Sequence, residues 1–501
     1  MATAGRIGQR RVQSGRALAR SMRWHPANRT GQVRHESDLA RGRRRVSSGR
    51  RIRGWLHVPS VRLIGRAGWA VIDQGFVSLA NFGLGVVVAR LVSPTEFGAF
   101  GVAFAVYLVA LNIARGLATQ PLTIRFGARD PAEFRRGAAE STGAALVLGL
   151  AGSIACLALA AVLGGVLSVA FVALAAALPG LLVQDAWRFV LFTSRRGQRA
   201  IVNDFIATLV MAALIVFVLV LKADSILAIV LCWGGGGTAA ALAGIAQTKV
   251  MPAPRRTLDW CREHWDITPR FLGSELITMA GAQLVLFAVG GLVGLAAVGS
   301  IRGAQLLLGP AYVLSVGVHL SMVPEASRVT GSIARFRRIT LLSSALLSLA
   351  GTTWGLALLL LPNSVGGELL GESWPGARSV LLPIALSVII PLATAGPRIG
   401  LRALEEASRT LRASGVQFAL TIVGGGAGAL LAGVIGAAWG LALGTGLAGI
   451  AWWLELVQAT RQQAVRISQA SGPRAPSDGT ETRDADLAIP EPTELMGQEY
   501  Y

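Results

Sequence analysis

The chain has 501 residues, of which 53% are hydrophobic and only 15% charged. A soluble chain of this length carries nearer a quarter charged residues, so the composition excludes an ordinary soluble globular protein. Apolar runs of about twenty residues, each able to cross roughly 30 Å of hydrocarbon, recur along it and identify an all-α polytopic membrane protein.

The net charge of +20 is uneven. Residues 1–66 hold 17 arginines against Glu36 and Asp38, a net +15, whereas residues 459–501 are acidic. The basic excess belongs mainly to an N-terminal arm, so no nucleic-acid partner is expected. Lys222 and Lys249 are the only lysines and neither follows a Gly-rich loop, which excludes a Walker A ATPase. Cys156, Cys232 and Cys261 stand alone, without CxxC or paired histidine ligands. No metal or cofactor is expected.

In chain order, residues 1–66 are an Arg-rich cytoplasmic arm, too poor in large apolar residues to fold alone. Three readings stay open for it: a polybasic arm on anionic lipid, an inert tail, or translated sequence upstream of the true start. An N-lobe, 67–250, follows with apolar segments at 67–92, 98–120, 138–162, 167–192, 203–221 and 225–248. Residues 251–269 form a polar inter-lobe linker. A C-lobe, 270–458, carries segments at 270–293, 297–324, 339–361, 379–400, 411–432 and 434–457. The acidic remainder, 459–501, is expected to be a disordered cytoplasmic tail. Pro179, Pro310 and Pro391 are expected to kink the fourth, eighth and tenth segments.

The connections support this count. Loops after even-numbered segments carry 22 basic residues, among them Arg135, Arg196, Arg256 and Arg337. Loops after odd-numbered segments show only Lys222 and Arg378. The positive-inside rule then puts both termini in the cytoplasm and the chain in the cytoplasmic membrane. Sliding the chain by 201 residues lays Leu91, Gly98 and Ala103 on Leu292, Gly299 and Ala304. Two six-helix lobes in parallel repeat are a transporter architecture with its site between the lobes.

Polar residues inside the apolar segments are the candidate site. Asp73, Gln74, Ser78 and Asn81 share one face of the first helix. Asn112 and Arg115 lie one turn apart on the second. At 1.5 Å per residue Asp73 and Arg115 lie roughly 9 and 8 Å in from the same side, so an Asp73–Arg115 ion pair is expected. Glu275 enters the seventh helix at similar depth, with Gln283 two turns further on, and Arg302 lies near the outer end of the eighth. Gln184, Asp185 and Arg188 cluster near the inner end of the fourth, where Arg188 can snorkel to the interface. These groups read either as structural pairs that set helix register, or as a hydrated cavity with arginines for an anion and carboxylates (Asp73, Glu275) for coupling.

The stretch "DQGFVSLANFGLGVVVARLVSPTEFGAFGVAFAVYLV" (73–109) resembles the opening of polysaccharide-exporting members of the multidrug/oligosaccharidyl-lipid/polysaccharide (MOP) flippase superfamily. Those start with a polar helix, an R-x-L-S/T-P-x-x-F/Y-G turn and a long apolar helix. Here the turn is Arg90, Leu91, Ser93, Pro94, Phe97 and Gly98, with Val92 as one extra residue. The resemblance implies alternating access that moves a lipid-linked oligosaccharide across the membrane, with polysaccharide-assembly proteins as possible partners. It implies cavity arginines that meet the substrate pyrophosphate, Arg115 first and Arg302 second. An ion-coupled drug antiporter of the same superfamily is the alternative. A membrane enzyme of polysaccharide assembly is a further one, but the longest outer loop, 362–378, is short and lacks His.

Overall fold

The computed structural model describes residues 61–223 and 225–470, with side chains described outside 61–72, 270–271, 274–280, 320 and 470. The expected arm up to residue 60 and the acidic tail beyond 470 lie outside the described residues. Residues 61–66 and 459–470, expected in the arm and the disordered tail, are instead helical, because the first helix begins at Val61 and the last runs on to Ala470. All regular structure among the described residues is helical. The N-terminal half holds α1 (Val61–Leu91), α2 (Pro94–Phe126), α3 (Pro131–Leu163), α4 (Gly165–Thr193), α5 (Gly197–Val220) and α6 (Ile226–Thr248). The linker contributes the short α7 (Thr257–Glu263). The second half holds α8 (Thr268–Leu292), α9 (Leu295–Leu307), α10 (Gly309–Arg328), α11 (Ile333–Leu359) and α12 (Asn363–Leu370). It ends with α13 (Trp374–Ala393), α14 (Ala395–Ala403) and α15 (Ala407–Ala470).

Local chemistry sets the boundaries. Ser93 caps α2: its hydroxyl accepts from the Glu96 amide at 3.3 Å while the Glu96 carboxylate accepts from the Ser93 amide at 3.0 Å. This capping box, with Pro94 in the first turn, explains the abrupt Ser-Pro start. Asp130 caps α3 through the amides of Ala132 and Glu133. The long α15 is two antiparallel passes. Its backbone leaves helical geometry at Ala432 and Gly433, the latter at φ 59°. Gly424 then faces Gly440, and Gly428 faces Gly436, so closely that a methyl on any of the four would strike opposing backbone.

Nine helical rods among the described residues are long and apolar enough to cross a membrane, and the pair α9–α10, bent by 53° before Pro310, makes a tenth. The division of α15 adds one, and α8, 25 residues long and apolar over Gly281–Leu292, lies where the seventh segment was expected. Pro179 lies within the unbroken α4. The chain is an all-α, multi-pass membrane protein.

In the first half α4 is the hub, packed on α2, α3 and α6; in the second, α13 and α8 pack on α15, and α9 on α13. The glycines of "GGGG" are packing surface: Gly234 meets Ala177 of α4, and Gly236 meets Ala207 of α5. The linker is docked on the first half. The Ala253 amide donates to the Ala139 carbonyl at 2.8 Å, and buried Glu140 accepts from Arg136 and Arg256. Trp260 is fully buried, and its Nε1 donates to the Leu117 carbonyl at 3.1 Å. Leu117 sits in the π turn of α2, Arg115–Thr119, whose widened ladder frees carbonyls for such outside donors.

Candidate functional site

The polar face of α1 lines two cavities. One, of about 350 Å³, lies between α1, α2, α9 and α10; its polar groups are Gln74, Ser78, Asn81, Arg302, Gln305 and Tyr312, among Phe82, Phe97, Phe100 and Phe104. The other, of about 260 Å³, lies within the first half. Gln74 and Asn81 line it too, with Tyr107, Arg115, Asp185, Arg188 and Asp204.

The second cavity holds an ion network, and its pairing corrects the expected Asp73–Arg115 bridge. Asp73, with no side-chain exposure, accepts from Arg188 of α4, whose Nε lies 2.7 Å from Asp73 Oδ2. Arg115 instead grips Asp185 through two bonds, Nε–Oδ2 at 2.9 Å and Nη2–Oδ1 at 2.7 Å. Depth along the membrane normal is one coordinate, and the neighbour is chosen by azimuth. α1 scarcely touches α2, whereas α2 packs along α4, and that brings Arg115 to Asp185. Arg188 does not snorkel. Its side chain is 14% exposed, and its Nε also lies 3.2 Å from Asp204 Oδ2. Asp204 of α5, which the sequence reading passed over, accepts from Gln184 at 2.6 Å through its other oxygen. Its signal was present as a carboxylate seven residues into an apolar helix. Among the described residues, three carboxylates thus face two guanidinium groups.

Arg302 differs. Its Nη groups donate to Gln305 Oε1 (3.2 Å), Gln283 Oε1 (3.2 Å) and, at 3.4 Å, the Gly101 carbonyl. Its guanidinium carbon lies 5.5 Å from the Phe104 ring centre, and its Nε has no partner. Among the described residues no carboxylate pairs with it. Neutral acceptors at long range hold a cation that is costly inside a membrane. Gln283, expected at the site, is there as a ligand of Arg302. Asn112 is not: its amide donates back to the Leu108 carbonyl at 2.7 Å, and it lines neither cavity. The Glu275 side chain lies outside the described residues.

The two halves meet at the start of α2 and α9. Gly98 abuts the Leu295 carbonyl, and Gly299 abuts the Pro94 carbonyl and the Gly98 amide. Gly98 faces Gly299, and Arg302 reaches Gly101, each pair 201 residues apart. Equivalent residues meet in this way where a pseudo-twofold axis passes through the crossing, as the parallel repeat requires.

No family model matches the chain, and no curated protein matches it by sequence. Solved structures do match. One is a multidrug resistance MATE family transporter of the MOP superfamily in an inward-facing conformation: TM-score 0.64, 14% identity, covering 80% of this chain and 100% of that one. Another is the lipid II flippase MurJ in an inward closed conformation: TM-score 0.59, 11% identity, 80% and 91% covered. A third is a eukaryotic MATE transporter: TM-score 0.55, 13% identity, 81% and 99% covered. The chain therefore carries the fold shared by MATE transporters and MurJ, the fold of the MOP superfamily.

Proposed function

We propose that the protein is a flippase that moves a lipid-linked oligosaccharide, a polysaccharide precursor, across the cytoplasmic membrane by alternating access of lobes 67–250 and 270–458. One observation carries this reading: Arg302, a cation with no carboxylate partner among the described residues, faces the cavity between the halves. A guanidinium with free donors binds a phosphate oxygen through charge-assisted bonds, and a pyrophosphate supplies the missing counter-charge. The aromatic wall of that cavity suits sugar faces and an acyl or prenyl stem. Arg115, the first choice from the resemblance, is secondary because Asp185 already claims it in this arrangement. The basic loops orient the molecule with both termini in the cytoplasm.

The ion network supports a second element, coupling. Among the described residues, three carboxylates around two guanidinium groups leave a negative charge for a proton or a small cation, which an ion-driven antiporter also needs. The test is reconstitution into vesicles with a fluorescent lipid-diphosphate oligosaccharide, its sidedness read by an impermeant glycan-modifying enzyme. Wild type is expected to equilibrate the probe between leaflets, and Arg302→Gln to lose that activity while keeping its thermal midpoint. Undiminished flipping by Arg302→Gln removes the carrying observation. Movement of organic cations without the lipid favours the antiporter.

A further inference from the structure

A third cavity, of about 370 Å³, opens at the basic end of the first half, between the ends of α2, α3, α4 and α6. It shares no lining residue with the two cavities described above. Arg129, Arg135, Arg195 and Arg196 line it over an apolar floor of Phe126, Phe134, Val190 and Val250, and no carboxylate lines it. The positive-inside rule accounts for arginines on this side, but not for four of them from two loops and a helix start converging on one concave space.

Several arginines elsewhere at this end are neutralised, although others, Arg337 and Arg338 among them, have no ion pair among the described residues. Arg409 and Arg412 pair with Glu455, Arg466 with Glu406, and Arg136 and Arg256 with Glu140. In the third cavity only Arg129 meets an acid, exposed Glu133 at 3.5 Å. The guanidinium groups of Arg195 and Arg196 have no hydrogen-bond or ion-pair partner among the described residues. Arg135 is pinned at the rim by a 2.9 Å bond to the Lys249 carbonyl. Arg195 is also held at φ 62°, a left-handed conformation that glycine adopts without strain, yet the position carries an arginine. Its amide, bonded to the Phe192 carbonyl, and that of Arg196, bonded to the Leu191 carbonyl, close the end of α4 and present both side chains together.

We propose that this cavity binds a phosphate-bearing anion, the headgroup of an anionic phospholipid whose glycerol and first methylenes rest on the apolar floor. Basic pockets between helix ends at a membrane surface recognise such headgroups, and arginine forks match phosphate oxygens in pairs. The site would tie the first half to the lipid surface apart from the transported substrate.

The full chain, purified in non-ionic detergent, is titrated with phosphatidylglycerol, phosphatidylcholine and inorganic phosphate, with binding read by native mass spectrometry and by thermal midpoint. Phosphatidylglycerol is expected to bind Arg195→Gln/Arg196→Gln roughly thirtyfold more weakly than wild type. Arg337→Gln/Arg338→Gln, the same loss of charge at the start of α11, is expected to bind it as wild type does. Arg129→Gln/Arg135→Gln provides a second, independent pair from the opposite wall. An equal response to inorganic phosphate supports the site and assigns it to a soluble phosphate. Binding unchanged in both cavity variants, or lost equally in the α11 control, overturns the proposal.

Discussion

Adding one methyl to the crossing of α2 and α9, as Gly98→Ala, should open the protein at the end away from the basic loops. The added carbon would fall on the Leu295 carbonyl, within the first turn of α9, and backbone cannot yield as a side-chain rotamer can. Overpacking of this kind costs about 1–3 kcal/mol, and here the cost falls only on the state in which the two helices touch. At about 1.4 kcal/mol per factor of ten, the balance between touching and separated arrangements shifts by roughly 5- to 150-fold. The assay places one cysteine at Ser78, which lines the cavity between the halves, in a chain whose Cys156, Cys232 and Cys261 are replaced. Modification by an impermeant maleimide, applied from the side opposite the basic loops, should accelerate by that factor. Gly299→Ala should act alike, and the double variant should fall short of the sum, because both changes strain one contact. An unchanged labelling rate in a normally folded Gly98→Ala protein would refute the reasoning and leave the crossing a static packing contact.

Arg188→Gln strands Asp73 without its cation and should destabilise the protein by about 3–5 kcal/mol, read as a lowered thermal midpoint. Asp73→Asn/Arg188→Gln should recover part of that loss, and equal damage in the two variants would contradict the pairing. Gly428→Val should disrupt the α15 hairpin, whereas Gly426→Val, which meets open space, should leave the thermal midpoint near that of wild type. Trp260→Phe removes the donor to Leu117 in the π turn, a loss of about 1 kcal/mol, and should raise hydrogen exchange across residues 115–119. For orientation, cysteines near Pro94 and Glu372 should label from outside the cell and those near Arg135 and Arg337 should not; outside labelling at Arg135 would invert the topology.

Hydropathy and charge alternation determined the class of fold and the order of its passes, because both are local properties: a run of twenty apolar residues is a helix in lipid wherever it sits. The caps Ser93 and Asp130 are local signals of the same kind, although the sequence reading did not single them out as caps. The spacing of 201 residues already related Gly98 to Gly299, yet only the packed structure shows the two glycines face each other at the crossing. The partners inside the membrane were beyond the sequence. Asp73 and Arg115 match in depth and sign, but helix neighbours are set by side-chain packing between segments far apart in the chain, so α4 came between them. That packing handed Asp73 to Arg188, Arg115 to Asp185, brought in Asp204, turned Asn112 back onto its own helix, and left Arg302 facing the cavity between the two halves with only neutral ligands among the described residues. Ionisable side chains in a membrane announce from sequence that a polar interior exists; which of them stay uncompensated is a three-dimensional sum over every helix that packs around them.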